Sequence, residues 1–159
     1  MKKGYSIIII SCLFILDLIS KILILKFFNV NESLVLINNF LKICYIKNTG
    51  ISFGLFSNNV VTISIISVFI IGYMIYELLK TNNKLSMIAC SLIISGSIGN
   101  LIDRVFRGYV VDFISFTLFN REMAIFNIAD ICITFGVLLY IVVLFKEGKN
   151  ERVNSKWKW

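Results

Sequence analysis

Two aspartates carry the most chemistry in this sequence: Asp112, in "YVVDFI", and Asp130, in "FNIAD". Two carboxylates held close together cannot both ionise easily, so they share a proton. One then acts as a base toward a water molecule and the other as an acid toward the leaving amine of a scissile amide. That logic requires no metal and no cofactor, and neither is expected. The eighteen positions that separate the two aspartates do not by themselves bring the side chains together. Other hydrolytic arrangements are poorly supplied. The chain has no histidine, which excludes a Ser-His-Asp triad, a Cys-His pair and any histidine metal site. Its serines lack an obvious base, although Ser-Lys pairs exist.

Further polar residues are set into strongly apolar surroundings. The run "SGSIGNLIDRVFRGYVVDFI" (95–114) places Asn100, Asp103, Arg104 and Arg107 ahead of Asp112. Asp17 and Lys21 interrupt another apolar run at a spacing of four, and Asn127 precedes Asp130 by three. Both spacings put the two side chains on one face of a helix. Cys12, Cys44, Cys90 and Cys132 show no CxxC spacing and read as small buried hydrophobes rather than ligands or disulfides.

The elements that must position these groups follow from composition. Of the 159 residues, 58% are hydrophobic and the mean hydropathy is +0.87, well above the apolar content of soluble domains. The expectation is one integral membrane domain spanning 1–159, with an all-α membrane core. Four runs have spanning length: about 5–25, 60–79, 85–102 and 125–145. The first follows Lys2 and Lys3 as a signal peptide would, but Asp17 and Lys21 lie within it and no small-x-small cleavage site follows, so it is read as a permanent helix. Between the first two runs, "SLVLI" and "LKICYIK" flank Asn38-Asn39 and predict a β-hairpin within an external segment of about 29–57.

Charge sets the direction. The formal net charge is +7, which in a soluble protein would raise nucleic acid; here it orients the chain in a membrane, and no nucleic-acid partner is expected. Residues 1–4, 80–84 and 146–159 hold nine cations in 23 positions, whereas residues 26–59 and 103–124 hold six in 56. Both termini are therefore expected in the cytoplasm, with a basic tail over 146–159 suited to an anionic membrane surface. In that topology Asp17, Lys21, Asn100, Asp103, Arg104, Asn127 and Asp130 all fall toward the outer end of their helices. Lys21 and Asp130 sit only about 8 Å inside the outer boundary. Each charge in a bilayer costs at least ~2.5–3.5 kcal/mol, and clustered ionisable groups there mark a functional site by default. Two other readings stay open on the residues alone: an ion-pair network that locks helices together, with Asp17 and Lys21 a simple i,i+4 pair, and a small proton-coupled transporter.

The motifs taken together go further. "DLISK" (17–21), "NTGISFG" (48–54), "SGSIGNLIDR" (95–104), "VVDFI" (110–114) and "FNIAD" (126–130) resemble, in order and over nearly the whole chain, the motifs of the bacterial lipoprotein signal peptidases (signal peptidase II). The chain departs from the family pattern at Leu18, Ser95 and Ala124, and at neither aspartate. The resemblance implies an intramembrane aspartic endopeptidase of the bacterial inner membrane, acting as a monomer among membrane lipids. Its substrate would be a diacylglyceryl-modified prolipoprotein, cut before the lipidated cysteine. It implies Asp112 and Asp130 as the catalytic pair. Asn48, Gly50, Asn100, Arg104 and Asn127 would line the site, with Asp17 and Lys21 as structural or substrate-positioning support. It also implies a β-rich cradle on the extracytoplasmic side and a short surface helix in the segment before "FNIAD".

Overall fold

The structure, a computed structural model of the chain, describes residues 3–50, 59–119 and 121–156. Each apolar run is a helix: α1 (Lys3–Phe27), α2 (Val60–Lys80), α3 (Lys84–Arg107) and α4 (Ile128–Lys156). All four are long and apolar enough to cross a membrane. α4 continues beyond its apolar span, so residues 146–156 of the basic tail are helical. Large apolar side chains such as Ile7, Val61, Phe69, Phe135 and Phe145 point outward. On a water-soluble protein that surface would be a liability; on a multi-pass membrane protein it is the face presented to lipid.

α3 is the central helix. In its most apolar stretch 67% of residues are buried, against 17%, 11% and 22% in α1, α2 and α4. Lipid is as apolar as leucine, so hydrophobicity alone does not drive helices together, and close approach through small residues takes its place. A Cβ on Gly96 would lie 2.3 Å from the Ala129 carbonyl oxygen, and one on Gly136 would lie 2.7 Å from Ile93 Cγ1. Glycines on both partners thus let α3 and α4 touch through their backbones. Gly96→Val is accordingly expected to force α4 away and destabilise the protein by about 1–3 kcal/mol or more; a melting temperature equal to that of the parent in detergent would contradict this packing. Signals in the sequence close both ends of α3. Asn83 accepts the Leu85 amide at its start, and Gly108, at φ 76°, ends it with its N–H on the Arg104 carbonyl, a conformation that costs glycine little.

At one end of the bundle sits an antiparallel sheet of β1 (Ser33–Ile37), β2 (Leu41–Asn48), β3 (Val110–Leu118) and β4 (Arg121–Glu122), in that order. The Asn38-Asn39 turn forms as the β-propensity on either side predicts, with Asn39 at φ 56°. Asparagine tolerates that left-handed conformation better than other side-chain-bearing residues. Between Ile43 and Ile46 the register with β3 shifts, after which Ile46 pairs with Asp112 and Asn48 with Val110. Such a bulge re-aims the side chains beyond it. The sheet is tied to the helices by Ile24, Tyr45, Val111 and Phe113, which form one buried cluster.

Two expectations are corrected. The segment before "FNIAD", expected to hold a short surface helix, is instead β3 and β4, and the bridge between Ile114 and Phe126 leads the chain straight into α4. The reason is local: "VVDFISFTL" is dense in β-branched and aromatic residues, and β2 offers a partner edge. Cys12 is exposed on the outer surface of α1, whereas the other three cysteines are buried. The residues 51–54 of the "NTGISFG" motif lie outside the described residues.

Candidate active site

The start of α4 is built from its own first turn. Asn127 is its N-cap: its side-chain Oδ1 accepts the Asp130 amide at 2.9 Å, and Asp130 Oδ2 accepts the Asn127 amide at 3.2 Å. This reciprocal pair is a capping box. It satisfies two of the donors that a helix start leaves unpaired, and it puts a carboxylate at the positive end of the helix dipole. A third donor, the Ala129 amide, is taken by Asp17 Oδ1 of α1 at 2.9 Å. Gly99 makes room for this contact, since a Cβ there would lie 2.4 Å from Asp17 Oδ2. Asp17 is therefore more than half of an i,i+4 pair: it caps the helix that carries Asp130.

Asp112 reaches the same place from the sheet. Asn127 Nδ2 donates to its Oδ1 at 2.7 Å, and Asn48 Nδ2, from β2, donates to its Oδ2 at 2.7 Å. Residue 127 thus holds both carboxylates, one through its side-chain amide and one through its backbone N–H. Asn48 is itself oriented by the Gly50 amide, which donates to Asn48 Oδ1 at 2.9 Å. Arg104 Nη2 donates to the Gly50 carbonyl at 3.3 Å. Burial pushes the Asp112 carboxyl from its ordinary 3.8 up to about 7, and the neighbouring Asp130 adds to the push; donation from Asn48 and Asn127, and the charge of Lys21, oppose it.

Beneath the pair lies Lys21, 1% exposed. Its ammonium is 2.8 Å from Asp17 Oδ2, 3.1 Å from Asp103 Oδ2 and 3.0 Å from Asn100 Oδ1. The Asn100 contact is a hydrogen bond, and the two carboxylate contacts are ion pairs that balance the buried charge. Because Asn100 accepts from Lys21 through its oxygen, its amide nitrogen is left to donate to Asp130 Oδ1 at 2.7 Å. Beside Asp130 opens a groove of about 310 Å³ between α2, α3 and α4, walled by Ile63, Ile66, Ile70 and Val137, with Asn100 and Arg104 near the aspartate.

The fold brings together Asp112, Asp130, Asn48, Asn100, Asn127, Asp17 and Lys21, and buried Gly50 joins them through Asn48 and half-buried Arg104 through Gly50. Sequence reasoning passed over Asp103 as a site residue, although it is buried in the same network. The signal was present: Asn100, Asp103 and Arg107 recur at three- and four-residue spacing, hence on one face of α3.

Four apolar helices, a small sheet at one end and a carboxylate pair beneath it, Asp112 buried and Asp130 partly so, define a polytopic membrane protein with a polar site at one end of its bundle. Comparison narrows the class. Residues 9–146 match the family model described as signal peptidase (SPase) II. A lipoprotein signal peptidase of Clostridium tetani is 43% identical, with the match covering 92% of this chain and 96% of that protein. One from Staphylococcus aureus is 36% identical, covering 94% and 93%. A bacterial membrane enzyme structure determined by the in meso method at 2.3 Å resolution superposes with a TM-score of 0.86 at 36% identity, covering 92% of this chain and 91% of that one. A second, at 1.9 Å resolution, gives 0.82 at 36% identity, covering 90% and 94%. The chain belongs to the signal peptidase II family.

Proposed function

We propose that this chain is an aspartic endopeptidase that removes the signal peptide from diacylglyceryl-modified prolipoproteins, cleaving before the lipidated cysteine. The observation that carries the reading is the convergence of Asp112 and Asp130 on Asn127, together with family membership. Asp112 holds the shared proton. Asp130 accepts a proton from water as that water attacks the scissile carbonyl, and Asp112 delivers its proton to the leaving amine, so the C–N bond breaks with charge balanced. Asn100 and Asn127 orient the carboxylates, and Asn48 holds Asp112 from the other side. Arg104, which lines the groove beside Asp130, would meet substrate backbone, and Gly50 holds it there. The apolar groove suits the signal-peptide helix or the acyl chains. One chain supplies every group, in keeping with a monomer of one peptidase domain. The cation asymmetry supports cytoplasmic termini, an inner-membrane location and a site on the extracytoplasmic side. Nothing in the relatives favours the transporter alternative.

The test is cleavage of a synthetic prolipoprotein peptide by the purified protein in detergent. A diacylglyceryl-cysteine peptide should be cut before the cysteine and the unmodified peptide left intact; equal cutting of both would refute lipid recognition. The same assay reads the proton. A carboxyl that titrates near 7 is protonated below that pH and ionised above it, and ionisation removes the acid. We therefore expect kcat/KM to fall on the alkaline side with a midpoint near 7, and a profile flat to pH 9 would remove Asp112 from that role.

A further inference from the structure

The groove beside Asp130 has a closed inner end. Ile63, Ile66 and Ile70 wall it on α2, and Asp130, Ile133 and Val137 wall it on α4. Each set recurs at three- and four-residue spacing, so each is one stripe of its helix. Continued away from the sheet, the α2 stripe reaches Met74 and Glu77, and the α4 stripe reaches Tyr140. There the two stripes meet. The Tyr140 hydroxyl donates to Glu77 Oε2 at 3.2 Å, from one helix to the other. Tyr140 also packs against the buried cluster of Met74, Leu78, Met87 and Cys90, so the space is filled as well as bridged. Tyr140 stands ten residues beyond Asp130, about 15 Å along the helix. Glu77 is the acidic residue of α2, and an ionisable side chain within a span signals function by default.

A groove that closes inside the bilayer discriminates between the two apolar parts of the proposed substrate. A signal peptide continues across a hydrocarbon core about 30 Å thick. It does so as a helix about 10–12 Å wide, and the Tyr140–Glu77 clasp stands in its way. An acyl chain ends inside the bilayer and meets no such conflict. We propose that the groove takes an acyl chain of the lipidated cysteine, and that Tyr140 and Glu77 form the floor that sets the longest chain it accommodates. A mere tie between α2 and α4 would serve anywhere along the two helices. This one sits on the stripes that wall the groove, where the groove ends. The inference rests on the reading of this chain as a peptidase of diacylglyceryl-modified prolipoproteins.

The test uses synthetic prolipoprotein peptides that differ only in the acyl chains on the cysteine: dilauroyl, dipalmitoyl and diarachidoyl. The parent, Tyr140→Ala, Glu77→Ala and Val137→Phe are compared in one detergent, so the partition of each peptide is common to all of them. Methylenes that do not fit an apolar pocket cost about 10-fold or more. The parent should therefore cut the dipalmitoyl peptide with a kcat/KM about 10-fold above that for the diarachidoyl peptide, the difference lying mostly in KM. Tyr140→Ala and Glu77→Ala remove the floor and should bring that ratio within about threefold. Val137→Phe raises the floor by about one turn and should shift the preference toward the dilauroyl peptide by about 10-fold. A parent ratio that survives in both clasp variants overturns the proposal. So does a Val137→Phe variant that slows all three peptides equally, the mark of a signal peptide in the groove. Should both clasp variants fail to fold, Val137→Phe alone decides. A parent that cuts no diacylglyceryl peptide would sink the proposed function itself; one that cuts all three equally sinks only the acyl-chain floor.

Discussion

Asp112→Asn and Asp130→Asn are each expected to lower kcat by about 10³-fold or more while leaving a folded protein, because each removes one of the two groups proposed to transfer protons. The variants should differ in stability, and the difference follows from their donors. At position 112 both carboxylate oxygens accept from side-chain amides, Asn48 Nδ2 and Asn127 Nδ2. A new amide there turns one acceptor into a donor, and Asn48 is able to rotate to meet it at the cost of its bond from Gly50. At position 130 one donor is the backbone N–H of Asn127, which does not rotate, and the other is Asn100 Nδ2, whose orientation Lys21 and the Asn127 side chain fix through the Asn100 oxygen. One donor must then face another donor, at about 1–3 kcal/mol. The expected order of melting temperatures is parent, then Asp112→Asn, then Asp130→Asn. Near-normal cleavage by either folded variant would sink the catalytic assignment.

Much of this site can be read from the chain, and the boundary has a physical cause. Hydropathy depends on single residues, so the four spans and the greasy surroundings of Asp17 and Lys21 are legible directly. The hairpin is legible because "SLVLI", Asn38-Asn39 and "LKICYIK" state strand, turn and strand locally. "NIAD" ahead of an apolar run is a local capping signature, and its partners are three residues apart. What escapes is long-range. Lys21 meets Asn100 across 79 positions and Asp17 meets the Ala129 amide across 112, and no pattern in the sequence states either distance. The bulge between Ile43 and Ile46, which resets the β2 register beside Asp112, is likewise a matter of pairing rather than composition. The surface helix expected before "FNIAD" shows the converse: "VVDFISFTL" is dense in β-branched and aromatic residues and forms β3, a local signal that the resemblance to the family overrode.

Lys21→Met is expected to be the most destabilising single change in the network, for a reason separate from catalysis. The ammonium sits between Asp17 and Asp103, whose side chains are 3% and 1% exposed. Removing one partner of a buried ion pair costs about 3–5 kcal/mol, because the charge left behind is uncompensated. Here Asp103 keeps Arg107, so the stranded charge is that of Asp17. Adding Asp17→Asn to Lys21→Met should therefore recover much of the loss. The new side chain retains an oxygen for the Ala129 amide and carries no charge, and the expected coupling in the double-mutant cycle is about 0.5–3 kcal/mol. The melting temperature in detergent should fall on the order of 10 °C for Lys21→Met and rise again in the double variant. Activity should not follow it back. With Lys21 gone, the Asn100 oxygen keeps only the 3.2 Å bond from Asn127 Nδ2, so the amide is held less firmly and turns its oxygen toward Asp130 more readily, where like-signed partial charges repel. A double variant that is stable but slow separates the two tasks of Lys21, balancing buried charge and orienting Asn100. A double variant as unstable as the single one, or one that regains full activity with its stability, would show that the lysine has only one of them.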